Sequence, residues 1–251
     1  MRILVLSAFD EELASIRHDL DAAEAIMVSR CRCWKTKYLE HDIWLSIVGI
    51  GVHAAAATTA ILCEQLHPDL IIFCGVAGGL KPELKIGDLI IATKVIDADL
   101  YHLPKLLQNS PYRSALLDPH TLSPIQCEYH IDNVLHRTMR EFFQRGLVFG
   151  TIVTSQIFPA PEHLFSDTNL DGIAIDMESA GIYKAASYYK MPVLIMRAIS
   201  NMLDADGNDL GTSQEALPYC AKQLSHYLEK ILDPLIINAL QKHKSHITLS
   251  V

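Results

Sequence analysis

The sequence has no hydrophobic run long enough to cross a membrane as a helix. Its longest apolar stretches are Leu70 to Leu80 and Met191 to Met196, whereas a membrane span needs roughly 20 consecutive apolar residues. The first residues, Met1 to Leu6, enter a strand-like apolar pattern without the cleavage site of a signal peptide. These features predict a cytoplasmic protein with no membrane partner.

The chain also lacks an excess of positive charge. It has 21 lysine and arginine residues against 29 aspartate and glutamate residues, which gives a formal net charge of −8 at pH 7. Proteins that bind nucleic acids usually present a basic face to the phosphate backbone. We therefore expect no nucleic-acid partner.

Neither the cysteines nor the histidines have the spacing of a metal site. Cys31 and Cys33 form a C-x-C pair, which is neither a redox C-x-x-C motif nor half of a zinc site. The remaining cysteines stand singly in apolar contexts, at Cys63, Cys74, Cys127 and Cys220. The 12 histidines are scattered along the chain. We expect buried, reduced thiols, with no metal and no cofactor.

What the chain does have is enough apolar material for one core and an alternation of strand and helix patterns. It has 251 residues, of which 50% are hydrophobic, and no linker or repeat interrupts it, so residues 1–251 are predicted to form a single domain. Predicted strands are 3–6, 33–38, 43–48, 70–74, 89–92, 148–153 and 192–199, and predicted helices are 7–20, 51–66, 132–145, 179–189 and 213–240. This alternation predicts an α/β three-layer sandwich with a central sheet flanked by helices.

Ligand sites in such folds lie at the carboxyl ends of strands. The segments interpreted as strand exits are 7–9, 49–51, 75–79, 154–159, 176–178 and 200–201. Each is ambiguous on its own. Gly75 to Gly79 is neither a G-x-G-x-x-G motif nor a P-loop and is compatible with a simple bend. A glutamate at a helix start, such as Glu178, is more often a capping charge than a ligand.

Taken in chain order, these segments resemble the nucleoside phosphorylase/nucleosidase superfamily, most closely its methylthioadenosine/S-adenosylhomocysteine nucleosidases and futalosine hydrolases. The matching stretches are 7–13 (SAFDEEL), 49–57 (GIGVHAAAA), 68–88 (PDLIIFCGVAGGLKPELKIGD), 97–99 (DAD), 150–158 (GTIVTSQIF), 175–181 (IDMESAG) and 191–200 (MPVLIMRAIS). Only Tyr101 to Glu128 lacks a clear counterpart. The resemblance implies a nucleoside phosphorylase-like fold with a mixed sheet, and a homodimer whose pocket is completed across the two-fold interface.

The resemblance also implies that water cleaves the N-glycosidic bond of a 5′-modified purine nucleoside, through a sugar with cationic character. Glu178 matches the carboxylate that binds the ribose hydroxyls, and Met177 supplies an apolar wall beside it. Glu12 matches the carboxylate that orients or deprotonates the water, with Arg197 as its partner. Phe158 matches the aromatic residue that stacks on the purine. Further implied substrate-binding residues are Phe9, Ile50, Val76 and Pro159.

Three positions depart from the nucleosidase pattern. Val76 stands where a small hydroxyl residue is usual, Gln156 stands in place of an aspartate, and Asn201 replaces the aspartate that donates a proton to the base. Asparagine can donate and accept hydrogen bonds but cannot transfer a proton, and losing a general acid costs about 10²–10⁴ in rate. Three explanations stay open for Asn201: an inactivating substitution made to trap substrate, a preference for a 6-oxopurine such as that of futalosine, or nucleoside binding without turnover.

Phosphorolysis is the less favoured reaction because it needs a cationic site for phosphate, generally built from arginines. The first strand exit offers Asp10, Glu11 and Glu12 instead, and Ile71 to Cys74 lead into the glycine segment without a cation. Water is therefore the expected nucleophile. A catalytically impaired protein that binds or stores nucleosides is the alternative from a different functional class.

Overall fold

The computed structural model describes residues 1–22, 24–101, 103, 109, 117–118, 123–131, 133–143, 146–157, 170–204, 208–211 and 214–247. The strands are β1 (Arg2–Ser7), β2 (Ala25–Val28), β3 (Cys31–Tyr38), β4 (His41–Ile47), β5 (Leu70–Gly79), β6 (Leu89–Asp97), β7 (Glu128–His130), β8 (Leu147–Thr154), β9 (Gly172–Asp176) and β10 (Val193–Met202). The helices are α1 (Asp10–Asp19), α2 (Val52–Leu66), α3 (Ala98–Tyr101), α4 (Asn133–Phe142), α5 (Ser179–Tyr188) and α6 (Ala216–Ile247).

A ten-stranded mixed sheet separates two layers of helices. Neighbouring residues of β5 show the layering, because successive side chains of a strand point to opposite faces. Ile71 belongs to the apolar cluster that contains Leu62 of α2 and Ile182 of α5. Ile72 belongs to the cluster on the other face, with residues of α1, α4 and α6 (Leu13, Met139 and Leu224). The predicted three-layer α/β sandwich is confirmed.

Two different strands pair with the two halves of one edge of β5, and the sheet is split between them. We call this split the fork. β1 pairs with β5 in parallel from Leu70 to Phe73, whereas β9 pairs with it in antiparallel fashion only at Gly78 and Gly79. β10 runs along the opposite edge of β5 throughout. The edge between Phe73 and Gly78 therefore has no described strand as a partner, and its backbone groups are available to side chains.

The remaining strands close a ring beside this fork. β10 also pairs with β6, β6 with β8, β8 with β9, and β9 returns to the end of β5. On the other side of the fork, β1, β4, β3 and β2 continue as an open sheet. The carboxyl ends of β1, β5 and β10 consequently lie together at the fork, which places their exit residues in one region.

Several predicted boundaries were wrong. Gly75 to Gly79 is the second half of β5 and not a loop after it, and β10 continues past Ile199 to Met202. The three strands β2, β7 and β9 were not among the predicted strands. The closing segment is a single helix of 32 residues, α6. Most of the divergent segment, Tyr101 to Glu128, lies outside the described residues.

The cysteines are free thiols, and all except the half-buried Cys127 are buried, as predicted. Within the described part of the chain, no helix is both long and apolar enough to cross a membrane.

Candidate active site

The carboxylate of Glu12 fills the fork beside β5. Glu12 lies in the first turn of α1, directly after β1, and its side chain is directed inward so that the residue is only 1% exposed. One oxygen, Oε2, accepts a hydrogen bond from the Ala8 backbone N–H at 2.7 Å, and Oε1 accepts one from the Val76 N–H, also at 2.7 Å. The side chain thus satisfies one backbone donor directly after β1 and another inside β5.

Burial raises the pKa of Glu12 to about 7, even though Arg197 and the two backbone hydrogen bonds favour the charged form. Desolvation disfavours a carboxylate, and here it outweighs those stabilising contacts. The negative charge of Glu178 adds to the rise. A carboxyl group with a pKa near neutrality is suited to accept a proton from water at physiological pH.

Arg197 of β10 is the buried cation of the site, with no exposed surface. Its Nε and Nη2 donate to Asp176 Oδ2 at 2.8 and 2.6 Å, and Nη2 also donates to Glu178 Oε2 at 3.1 Å. The guanidinium carbon lies 3.8 Å from the ring centroid of Phe73. Burial alone would lower the pKa of Arg197, but the neighbouring carboxylates outweigh it and raise that pKa.

The predicted direct pairing of Arg197 with Glu12 is replaced by these bonds to Asp176 and Glu178. The third nitrogen of Arg197, Nη1, is buried without a hydrogen-bond partner among the described residues. It lies close to Glu12 across Gly75: a Cβ on Gly75 would overlap Nη1 and would lie 2.7 Å from Glu12 Oε1. Only glycine fits here because the two side chains take up the space.

Glu178 is held between Arg197 and the start of α2. Its Oε1 accepts the Gly51 backbone N–H at 2.9 Å, while Oε2 accepts from Arg197. As predicted, Glu178 directly precedes a helix, yet it makes no side-chain cap for that helix. Burial raises the pKa of Glu178, and Arg197 opposes that rise. Each carboxylate oxygen has a second lone pair, so Glu178 can also accept hydrogen bonds from a ligand.

Asp176 is the functional residue whose role the sequence analysis missed. It ends β9, and its carboxylate accepts the Thr154 hydroxyl at 2.7 Å as well as the hydroxyl of Ser179. These bonds fix Asp176 as the main partner of Arg197. The available signal was its position in the Asp-Met-Glu sequence, two residues before Glu178 and therefore on the same face of an extended chain.

The structure brings most of the predicted binding residues to this region. Met177, half-buried, lies between Asp176 and Glu178 in the chain, and Val76, also half-buried, presents its backbone to Glu12. Phe9 adjoins Ala8, whose N–H binds Glu12, and Ile50 adjoins Gly51, whose N–H binds Glu178. Ile50 is 60% exposed. The predicted residues Phe158 and Pro159 lie outside the described residues.

Asn201 lies further along β10, four residues after Arg197. A bulge interrupts the pairing there, since Ile199 is opposite Ala77 whereas Asn201 is opposite Gly78. Both Ser200 and Asn201 are buried, and the Ser200 hydroxyl donates to Asn201 Oδ1 at 3.0 Å. The amide is therefore held by its own neighbour in the chain.

The side chain of Gln156 lies against Gly51, next to the site. Its amide oxygen lies 3.0 Å from His53 Nδ1, and its backbone N–H donates to Asp99 Oδ2 at 2.7 Å. Gly51 has a φ of 94°, and a Cβ there would overlap the Gln156 amide. The departure at Gln156 thus places a neutral amide against the loop that holds Glu178.

The described residues contain no group of three metal-binding side chains. Chemically, the site combines a carboxyl group whose pKa is near neutrality (Glu12), a buried cation with one nitrogen that has no partner among the described residues (Arg197), and a carboxylate with further lone pairs (Glu178). Such a set can position a water, bind vicinal hydroxyls and stabilise a cation, which are the requirements for substitution at a sugar carbon.

Comparisons with known proteins agree with this chemistry. The family model described as the phosphorylase superfamily matches residues 2–236. The 5′-methylthioadenosine/S-adenosylhomocysteine nucleosidase of Tolumonas auensis is 28% identical over 243 residues, which covers 94% of this chain and 100% of the relative.

Two solved structures from Helicobacter pylori show the same fold. A futalosine hydrolase mutant is 23% identical with a TM-score of 0.76, and the match covers 93% of this chain and 99% of that one. An Asp-to-Asn mutant of the methylthioadenosine nucleosidase, with 5′-methylthioadenosine in its active site, is 23% identical with a TM-score of 0.75. That match covers 92% of this chain and 98% of the other.

Proposed function

This chain belongs to the phosphorylase superfamily, and from that premise we propose that it hydrolyses the N-glycosidic bond of a 5′-modified purine nucleoside. Water is the nucleophile, and the products are the free purine and the 5′-modified ribose. Glu12, Arg197 and Asn201 take part in the reaction, and Glu178, Met177, Val76, Ile50, Phe9, Phe158 and Pro159 bind the substrate. The whole chain acts as one nucleosidase domain.

The observation that carries the proposal is the buried Glu12, whose pKa is about 7, across Gly75 from the free nitrogen of Arg197. A water between these groups accepts a hydrogen bond from Nη1 and donates one to the carboxylate. As its oxygen bonds to the sugar carbon, one of its protons passes to Glu12. The arrangement activates water without a metal ligand set.

Glu178 binds the ribose hydroxyls through the lone pairs that Gly51 and Arg197 leave free. When the C1′–N9 bond breaks, its electron pair leaves with the purine and the sugar gains positive charge. The buried carboxylates of Glu178 and Glu12 stabilise that charge, and they gain strength from the low dielectric of the site. Asn201 donates a hydrogen bond to the departing base, which then takes its proton from solvent.

Two relatives support a proposal for the 5′ group of the substrate. The Tolumonas auensis relative is a 5′-methylthioadenosine/S-adenosylhomocysteine nucleosidase, and a futalosine hydrolase shares the fold. We therefore propose a substrate of methylthioadenosine type or futalosine type. Exposed apolar residues near the site, such as Ile50 at 60% and Ile157 at 57%, are suited to contact an apolar 5′ substituent or a second subunit.

The proposed assembly is a homodimer that covers this apolar edge of the pocket. Sedimentation at micromolar concentration tests it directly, and a monomer would contradict it. An obligate interface of this kind buries well over about 2,000 Å².

The second candidate function is nucleoside binding without turnover, which Asn201 favours because an amide cannot supply a proton. Phosphorolysis is less favoured, since the exposed acids Asp10 and Glu11 at the start of α1 repel a phosphate dianion.

The decisive experiment incubates the protein with 5′-methylthioadenosine in ¹⁸O-labelled water and follows release of the purine by chromatography. We expect one ¹⁸O atom in the sugar product and no dependence on added phosphate. A rate that requires phosphate would indicate a phosphorylase, and tight binding without product would indicate a binding protein. The variant Glu12→Gln should be inactive, whereas Glu11→Gln, at the exposed neighbouring position, should match the unmodified protein.

A further inference from the structure

A second cavity, of about 440 Å³, lies between α4 and the middle of β6. Its described lining residues are Thr93, His136, Arg137, Arg140 and Glu141. Four of these residues belong to α4, and none of them is a residue of the candidate active site. The volume is within the range of pockets that hold a small organic molecule, about 300–1,000 Å³.

The two arginines of this cavity have no carboxylate partner. Arg137 and Arg140 are three residues apart in α4, so they lie on the same side of the helix. Glu141 follows Arg137 by four residues, a spacing at which ion pairs often form. Yet neither arginine forms an ion pair with a described residue. Both are exposed, so their charges are accessible to a ligand.

Aromatic rings hold the guanidinium of Arg140 in place. Its carbon lies 4.0 Å from the ring centroid of Phe149, and a stacked guanidinium has little rotational freedom left to lose when it binds an anion. The ring of His136 meets Phe149 edge-on, with the two centroids 6.2 Å apart. His136 is itself buried, and its Nε2 lies 2.7 Å from the Ala92 carbonyl oxygen. Because a carbonyl oxygen can only accept, Nε2 carries the proton, and this bond fastens the aromatic pair to β6.

Thr93 adds a hydroxyl group on the β6 side of the cavity. The pairing of β6 with β8 shifts register between Ala92 and Lys94, and such irregularities commonly re-aim a side chain. The Thr93 hydroxyl makes no hydrogen bond to a described residue, and it is not sealed from solvent. It can therefore donate a hydrogen bond to an oxygen atom of a ligand.

The charges of the lining favour an anion that also carries hydroxyl groups. A guanidinium presents N–H donors in a fork that matches the oxygens of a phosphate, and two guanidiniums balance a dianion. The whole chain has a net charge of −8, so this attraction is local. Glu141 would repel a bare anion, but a carboxylate accepts hydrogen bonds from hydroxyl groups. The cavity is also larger than inorganic phosphate needs.

We propose that the cavity between α4 and β6 binds a phosphate monoester whose organic part carries hydroxyl groups, such as a sugar phosphate. Arg137, Arg140 and Thr93 bind the phosphate group, and Glu141 accepts hydrogen bonds from the hydroxyl groups. This site is independent of the proposed nucleosidase activity, since no group of the candidate active site takes part in it.

The test measures binding by calorimetry at low salt with glucose 6-phosphate, glucose and inorganic phosphate as probes. We expect one saturable site per chain for glucose 6-phosphate, binding of inorganic phosphate that is weaker by about tenfold, and no binding of glucose. Arg137→Gln and Arg140→Gln should each raise the Kd of glucose 6-phosphate by about tenfold or more, because each removes hydrogen bonds between charged groups. Circular dichroism checks that the variants, all at exposed positions, stay folded.

Two further variants separate the parts of the site. Glu141→Ala should bring the two Kd values for glucose 6-phosphate and inorganic phosphate closer by at least about threefold, since it removes the acceptor for the hydroxyl groups and the repulsion of the anion. The matched control is Arg32→Gln, because Arg32 is another exposed arginine over an aromatic ring, 4.9 Å from the centroid of Trp34. Its Kd for glucose 6-phosphate should equal that of the unmodified protein.

Glu178→Ala distinguishes this site from the candidate active site, and its Kd for glucose 6-phosphate should also be unchanged. Loss of binding in Glu178→Ala would place the probe in the candidate active site and overturn the proposal. Binding that survives in both arginine variants, or no binding at millimolar concentration, would also overturn it, and the two arginines would then serve only the fold. Equal affinity for glucose 6-phosphate and inorganic phosphate would contradict the role of Glu141.

Discussion

Glu12 and Arg197 face each other across the backbone of Gly75 without a hydrogen bond between them. Arg197 is instead bonded to Asp176 and Glu178, while Glu12 is bonded to two backbone N–H groups. Each side chain is thus held by other partners, and the nearby Nη1 has no partner of its own among the described residues. The pair is arranged to share a third group, which in the proposed reaction is the attacking water.

The first prediction concerns the pH dependence of activity. Glu12 must be ionised to accept a proton, and burial raises its pKa to about 7. We therefore expect kcat/KM to rise with pH and to level off above a midpoint near 7, because the ionised fraction falls below that pH. Initial rates from pH 5 to 9 give the profile. A midpoint near 4.5, the ordinary glutamate value, would remove Glu12 from the role of base.

The same group should leave a signature in stability. Since the folded-state pKa is raised from 4.5 to about 7, the folded protein binds more protons than the unfolded chain between these pH values. The free energy of unfolding should accordingly decrease as pH rises through this window, by roughly 3 kcal/mol from this group. In Glu12→Gln that decrease should be missing. Urea titrations at pH 4.5 and pH 8 test it, and parallel pH dependence of the two proteins would contradict it.

A third prediction concerns the buried partner of Arg197. Asp176→Asn removes the charge that receives two of the guanidinium hydrogen bonds, and leaves the cation buried with Glu178 alone. Breaking such a pair costs about 3 kcal/mol or more. The control is Asp171→Asn. Asp171 is exposed, and its carboxylate pairs with Lys81 at the surface, at a distance of 3.9 Å. Such a surface pair is worth at most about 1 kcal/mol. Equal denaturation midpoints for the two variants would show that Asp176 does not stabilise Arg197.

The fourth prediction uses the space at Gly75. In Gly75→Ala the new methyl group overlaps Arg197 Nη1 and approaches Glu12, so we expect activity to fall by about 100-fold or more, since small displacements of reacting groups are costly. Gly78→Ala, three residues along the same strand, is the control because its Cβ meets nothing closer than 3.2 Å. Steady-state rates of both variants test this prediction. Comparable activity in the two variants would mean that catalysis does not depend on the present positions of Glu12 and Arg197.

Local patterns were sufficient to predict the layers and several elements. The predicted strands 33–38 and 43–48 correspond to β3 and β4, which pair as antiparallel neighbours across a turn between Tyr38 and His41. The predicted helix 7–20 contains α1, which begins at Asp10 with three acidic residues in its first turn, where negative charge is favourable. These features depend on residues that are close together in the sequence, so the sequence alone is sufficient to predict them.

What could not be predicted depends on contacts between distant segments. Gly75 to Gly79 was interpreted as a segment that follows a strand and is compatible with a simple bend, but β10 pairs with this segment and Arg197 occupies the space that a side chain at Gly75 would need. β9 is a short strand whose conformation follows from its pairing with β8 and β5. The role of Asp176 was missed for the same reason, since it depends on β9 and β10 flanking β5.

The fork in the sheet makes the position of Glu12 largely independent of the side chains around it. The carboxylate takes the place that backbone carbonyls of a neighbouring strand would have, and main-chain N–H groups of residues 8 and 76 hold it. Any residue except proline offers such a donor. The wall of the pocket at Val76 is therefore free to diverge during evolution, toward a new substrate, while Glu12, the proposed base, keeps its position in the fold.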